Sequence, residues 1–353
     1  MDKLLRDMAK KFGEDNIIHE FGETSAPTEA IPTGIPSLDL ATGVGGLPRG
    51  RITEIYGPEG AGKTTILLKA ISEAQLMAGQ MPVLSNKGEY DVKPLTGRAG
   101  ILDVEHAISP SLLELHNVQT GKGSSFYFDQ PMGGVEALDK LKMMVSSNLF
   151  DIIGVDSVAG LTTLEEDDDD RSAGTSVMAS TARLMSQNLK SLVKLINKSR
   201  TAVVFINQIR EKPAVQFGSP ETTTGGRALK FYSSLRIRVS RGESISEGAG
   251  NVIGHNVKMD IKKNKMAPPF QKTTIGLVYK DTDKRKGGFD VFSDFITVGK
   301  QLGVIELSGS QYRFIDENGE IHKANGLVAF SKLLLDKPEV HTDIVKSIRE
   351  VSL

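Results

Sequence analysis

The chain has 353 residues, 39% hydrophobic and 25% charged, with a net charge of −1, which suits one large core with small appendages. It has no cysteine, so disulfides and thiolate metal centres are excluded, and that composition fits a reducing compartment. No stretch nears the roughly 18–20 apolar residues of a membrane helix, and Met1-Asp2-Lys3-Leu4-Leu5-Arg6 lacks the apolar run of a signal peptide; the expectation is a cytoplasmic protein without membrane contact.

Leu4, Leu5, Met8 and Phe12 fall at helical spacing, which predicts a short amphipathic helix over 3–12. Residues 22–36, rich in Pro, Gly and Thr, read as a linker. Apolar runs at 52–56, 100–104, 152–156 and 202–206 read as strands, and 63–78, 133–147 and 178–198 as helices. This alternation predicts an α/β fold with a mainly parallel central sheet flanked by helices, and places ligands at the carboxyl ends of its strands. After about residue 230 come strand-rich segments at 235–239, 257–262 and 273–279. A small α/β unit begins near 284 and ends in helices at 325–335 and 338–351. Three units follow: an N-terminal helix and linker (1–33), a core (34–283) and a small C-terminal domain (284–353).

Charge is uneven along this order. Residues 200–300 carry 18 Lys and Arg against 9 Asp and Glu, whereas Glu165-Glu166-Asp167-Asp168-Asp169-Asp170 is an acidic run. A basic sector on a near-neutral chain suits a confined polyanion site, and a solvated face is the plain alternative.

Gly57-Pro58-Glu59-Gly60-Ala61-Gly62-Lys63-Thr64-Thr65 lies between a predicted strand and a predicted helix. Glycines at those spacings let backbone N–H groups turn inward around a phosphate, at a helix N-terminus that favours an anion. Lys63 can reach the β- and γ-phosphates, and the Thr64 hydroxyl can ligate Mg²⁺. Asp156, ending a strand, can hold the Mg²⁺ water shell opposite Thr64. The chain therefore reads as a protein that binds a nucleoside triphosphate with Mg²⁺; ATP is the nucleotide expected. Glu105 follows the 100–104 strand and can polarise a water in line with the γ-phosphate, or be a solvated loop acid. Asn207 and Gln208 follow the 202–206 strand, where an amide can sense the γ-phosphate. The loop 210–227 holds Arg210, Lys212, Phe217, Thr222, Thr223, Thr224, Gly225, Gly226 and Arg227, groups suited to phosphodiesters. Met178 lies on a second loop, 175–181. Only one phosphate loop is present, which argues against a duplicated ATPase.

Several strings resemble the bacterial and phage RecA-type recombinase family. They include Glu54-Ile55-Tyr56-Gly57-Pro58-Glu59, Glu105-His106-Ala107, Val155-Asp156-Ser157-Val158-Ala159, Phe205-Ile206-Asn207-Gln208-Ile209-Arg210, Pro220-Glu221-Thr222-Thr223-Thr224-Gly225-Gly226, Ala228-Leu229-Lys230-Phe231-Tyr232 and Lys263-Asn264-Lys265. Together they span about residues 30–285. The resemblance implies a DNA-dependent ATPase that forms helical filaments on single-stranded DNA, pairs it with homologous double-stranded DNA and exchanges strands. It implies that Glu105 activates water and that Gln208 couples ATP to DNA. It also implies that Lys263 and Lys265 reach the ATP of a neighbouring copy, that Lys230, Phe231 and Arg236 lie at the protomer interface, and that Tyr279 stacks on adenine. Met178, Arg183 and the 210–227 loop would line the DNA channel. Single-strand-binding and mediator proteins are implied as further partners.

The same ATPase core also serves ring helicases and translocases, and a regulatory ATP-binding scaffold is a third reading. Departures from the family are specific. Ser109 and Leu112 stand where the family usually carries an Asp and a Tyr that hold adenine. About eighteen extra residues lie near Val83–Arg98. The chain stops at Val351-Ser352-Leu353 without the acidic tail common in cellular members, which would fit a viral origin and a host-cytoplasmic location.

Overall fold

The computed structural model describes residues 10–11, 28–77, 79–84, 90–95, 97–161, 176–211, 221–248, 250–282 and 286–352. In chain order the first elements are β1 (Ala30–Ile31), α1 (Pro36–Thr42), β2 (Leu47–Pro48), β3 (Ile52–Gly57), α2 (Lys63–Leu76), β4 (Gly79–Leu84), β5 (Tyr90–Leu95), β6 (Ala99–Asp103), α3 (Pro110–Leu115), β7 (Phe126–Asp129), α4 (Gly134–Ser146), β8 (Ile152–Asp156) and α5 (Ser176–Ser199). Next are β9 (Ala202–Glu211), β10 (Glu221–Thr223), α6 (Ala228–Tyr232), β11 (Leu235–Glu247), β12 (Asn251–Asn264), β13 (Lys272–Val278) and β14 (Gly288–Phe289). The chain ends with α7 (Val291–Gln301), β15 (Glu306–Ser308), β16 (Gln311–Ile315), β17 (Ile321–Asn325), α8 (Leu327–Asp336) and α9 (Pro338–Ser352).

The central sheet runs β14-β13-β12-β11-β3-β9-β8-β6-β7, with β10 paired to β9. From β11 to β7 every pairing is parallel; β12 to β14 continue it antiparallel. The expected mainly parallel sheet is thus present. Its central strands are near-continuous apolar runs because both faces are covered. Along β9, Val204 and Ile206 join the core cluster that includes Ile66, Leu67 and Ile71 of α2. Val203 and Phe205 point the other way, into the cluster with Leu138 and Leu141 of α4 and Leu189 of α5. Gly154 in β8 lets α2 come close: a Cβ there would stand 2.6 Å from Leu67 Cδ2. That close seating brings the start of α2 beside the end of β8.

A third cluster, including Ile296, Phe314, Phe330, Leu334 and Ile344, forms the core of the C-terminal segment, and Leu40 of α1 packs against it. Asp294 Oδ2 accepts from the Ser37 backbone N–H at 2.8 Å, which ties this segment to the start of α1.

Several elements depart from the sequence reading. The extra residues near 83–98 contribute to an antiparallel hairpin, with Gly79 opposite Leu95 and Leu84 opposite Tyr90. The loop placed at 210–227 is in part a hairpin: β9 runs on to Glu211, and Thr222 of β10 pairs with Arg210. Neither amphipathic pattern nor length marked that extension. Short α3 and β7, and α7, carry too little periodic signal to stand out from loop. Of the helix expected over 3–12, only residues 10–11 are described, as helix. The acidic run 165–170 lies outside the described residues.

Candidate nucleotide and DNA site

The turn after β3 enters α2 through Gly62, whose φ of +95° lies in the left-handed region open to glycine. Lys63 is buried, and its Nζ donates to its own loop's Pro58 carbonyl at 2.7 Å. Burial lowers the Lys63 pKa, while Asp156, Glu105 and Glu59 push it back up. Thr64 Oγ1 donates to Asp156 Oδ2 at 2.6 Å. Burial is the largest cause that lifts the Asp156 carboxyl to about 6; the Thr64 hydrogen bond opposes it, and Glu105 and Asp103 add to it. Residues 59–65, Glu105, Asp156, Ser157, Gln208, His255 and Tyr279 wall a cavity of about 300 Å³. A concavity at the ends of parallel strands, with Lys63 beside Glu59, Glu105 and Asp156, is where this fold class binds ligands.

The Glu105 end of the cavity is more constrained than the sequence implied. Glu105 Oε1 accepts from the Ser157 hydroxyl and, at 3.0 Å, from Gln208 Nε2. Asp103, fully buried, holds the loop behind Glu105 by accepting from the Ala107 and Ile108 N–H groups and from Gln130. Ser157 and Asp103 were not singled out from sequence. Their position on either side of Glu105 and Asp156 was the only available signal.

The neighbouring residue on β9 faces the other way. Asn207, buried, donates from Nδ2 to Glu54 Oε1 at 2.9 Å and to the Thr224 carbonyl at 3.0 Å. Its Oδ1 accepts the Gln208 N–H at 2.9 Å. Glu54 Oε2 takes Arg236 Nε at 2.5 Å, and the guanidinium stands 4.3 Å from the Tyr56 ring centroid. One adjacent residue pair therefore touches both Glu105 and the 221–227 segment.

Around that segment, Arg183, Arg210 and Arg227 are exposed. Gly226 lies against Ala182 of α5, and Gly225 against Val158 and Met185. Arg238 clamps Glu221 in a bidentate pair at 2.8 and 2.5 Å. Thr222 is half-buried, but Thr223 and Thr224 are buried at 5% and 6% exposure, and their hydroxyls have no partner. Thr223, Thr224 and Gly225, expected to line a DNA channel, are instead packed into the protomer. Met178 falls in the first turn of α5; Lys212 and Phe217 lie outside the described residues.

Of the residues expected at a protomer surface, Phe231 is 70% exposed and Lys265 is exposed. Lys263 Nζ donates to the Lys230 and Phe231 carbonyls at 2.6 and 3.0 Å. Arg236 does not fit that surface: at 8% exposure it is an internal partner of Glu54. Tyr279 lines the cavity at 44% exposure, and its hydroxyl meets Arg241 and His255. Ser109 caps α3 by accepting from the Leu112 N–H, and Leu112 packs on the main core.

The geometry agrees with what similarity to other proteins shows. The family model for the RecA N-terminal domain matches residues 1–283. Protein RecA of Arthrobacter sp. (strain FB24) is 39% identical over 351 residues, 99% of this chain and 90% of its own length. Protein RecA of Aquifex pyrophilus is 39% identical over 352 residues, covering 100% of this chain and 91% of its own. Protein RecA of Saccharopolyspora erythraea is 38% identical over 350 residues, at 99% and 91% coverage.

Proposed function

This chain belongs to the RecA family of recombinases, and from that premise we propose that the cavity beside residues 57–65 is the ATP site driving its filaments. As a family member it is a DNA-dependent ATPase that binds DNA, assembles with its own copies and catalyses homologous pairing and strand exchange. The pair Asn207–Gln208 carries the reading of how those activities connect. Gln208 holds Glu105, and Asn207 holds the Thr224 carbonyl at the stem of the DNA-facing hairpin.

In this reading Lys63 and the loop N–H groups bind the β- and γ-phosphates. Thr64 and Asp156 offer only hard oxygen donors, which suits Mg²⁺. The ion, when bound, neutralises phosphate charge. Glu105 orients and deprotonates the attacking water, with Ser157 fixing one carboxylate oxygen. Gln208 leaves Glu105 for the γ-phosphate, and through Asn207 that movement reaches residues 221–227. Arg183, Arg210, Arg227, Lys212 and Phe217 contact the DNA backbone.

Lys263 and Lys265 serve a neighbour's site. Leu235 pairs with both Asn264 and Thr53, so these lysines stand near the start of β3. Their own phosphate loop follows the far end of β3, four residues or about 13 Å along at ~3.3 Å each. Only a head-to-tail copy brings them to a phosphate, which makes hydrolysis depend on assembly. Phe231 and Lys230 line that contact. The division at 283/284 is supported by the separate C-terminal core. Single-strand-binding and mediator proteins as partners, and a cytoplasmic location, complete the reading; among the described residues no helix is long and apolar enough to cross a membrane.

The test is fluorescence polarisation of labelled single-stranded DNA with the full chain. ATP is expected to tighten binding at least tenfold. Equal affinity with and without ATP would refute the coupling.

A further inference from the structure

His255 lies on β12 opposite Leu277 of β13 and lines the same cavity as the phosphate loop and Tyr279. It is 2% exposed. Its Nδ1 is 3.0 Å from the Tyr279 hydroxyl, which also accepts from Arg241 Nη2 at 2.8 Å. A guanidinium only donates, so the hydroxyl's own proton stays available to His255 Nδ1, which accepts it in the tautomer that carries its proton on Nε2. Burial, then the Arg241 charge, lowers the His255 pKa, which favours the neutral ring. A neutral ring that accepts at Nδ1 carries its proton on Nε2. That Nε2 is buried and has no partner. An N–H in this state is costly unless an arriving ligand supplies an acceptor.

The phosphate end of the cavity already has Lys63 and the loop amides. His255 instead touches Tyr279, whose exposed ring offers a stacking face. Ser109 is used as a helix cap, and Leu112 packs against the core, so neither supplies a side-chain donor aimed at a base.

We propose that His255 is a specificity-determining residue of the nucleotide site, with Nε2–H donating to a ring nitrogen of the purine base. Tyr279, pinned by Arg241, positions it. The proposal rests on the reading of this cavity as the ATP site. It makes the triad Arg241–Tyr279–His255 the base-recognising wall, opposite the phosphate-recognising one.

Calorimetric titration of the full chain with ATP, ribose 5′-triphosphate and inorganic tripolyphosphate tests it. His255→Phe is expected to weaken ATP about tenfold, the size of one hydrogen bond from a buried donor. It should leave the two base-free ligands unchanged, and His255→Gln, which keeps a donor, should recover most of the loss. Should the Phe variant not fold, Tyr279→Phe, which unpins the ring, must show the same ligand pattern. Unchanged ATP affinity in H255F overturns the proposal. So does equal weakening of tripolyphosphate, which would mean a structural effect on the loop, or of ribose 5′-triphosphate, which would place the acceptor on the sugar. If the unaltered chain binds neither ATP nor tripolyphosphate, the ATP-site reading fails and this proposal with it.

Discussion

Gln208 Nε2 donates to Glu105 Oε1 at 3.0 Å, so the amide expected to sense the γ-phosphate rests on the carboxylate expected to activate water. The two groups share one hydrogen bond, which the proposed mechanism breaks when a nucleotide binds. Replacing Gln208 by Ala removes the signal from that exchange. The ratio of ATPase rate with single-stranded DNA to the rate without it should fall to near one, read by phosphate release.

Glu105→Gln keeps the shape of the side chain but not its basicity. The turnover number should fall by about 100-fold or more, the usual contribution of a positioned general base. ATP affinity, measured by equilibrium dialysis, should change far less. A turnover within threefold of the parent would remove Glu105 from the chemistry.

Glu54 is fully buried, and its charge is met by Arg236 and Asn207. Arg236→Ala leaves that carboxylate without its cation, which costs about 3–5 kcal/mol at a buried pair. Urea unfolding should register the loss. Replacing both Glu54 and Arg236 by Met should cost less than the single change, because no orphan charge remains.

If Lys63 and Lys265 act on one phosphate from two copies, defects in them should complement. Lys63→Ala and Lys265→Ala chains should each be nearly inactive as ATPases with DNA. Mixed, they should regain part of the activity, because Lys265→Ala copies then meet neighbours with Lys265 intact. Absence of recovery in preparations shown to co-assemble would place Lys265 outside the site.

Burial is the main cause that lifts the Asp294 carboxyl from 3.8 to about 6, against the hydrogen bond from the Ser37 N–H. A carboxyl with a higher pKa folded than unfolded stabilises the fold while protonated. That share is complete below the unfolded value and lost as pH rises through about 6. Asp294→Asn removes the titration. Its melting temperature should fall less steeply than the parent's between those two values, by calorimetry. An identical slope would refute the assignment.

Much of this protein was legible from sequence because local rules carried it. The phosphate loop declares itself through its glycines, Lys63 and Thr64, and through flanks of apolar strand and helix. Buried parallel strands such as 152–156 are apolar on both faces, so composition alone marks them. The long strings around Glu105, Asp156 and Gln208 marked the recombinase resemblance. What sequence could not decide were pairings between residues distant in the chain. Arg236 reads as a surface cation until β11 is laid beside β3, which puts it on Glu54. Thr223 and Thr224 read as phosphate contacts until β10 folds back on β9 and buries them. His255 carries no motif, and only the register of β12 with β13 sets it beside Tyr279 with one nitrogen unmet. Spacing along the chain determined the chemistry of the loop; sheet register, which no local pattern encodes, decided which side chains complete it.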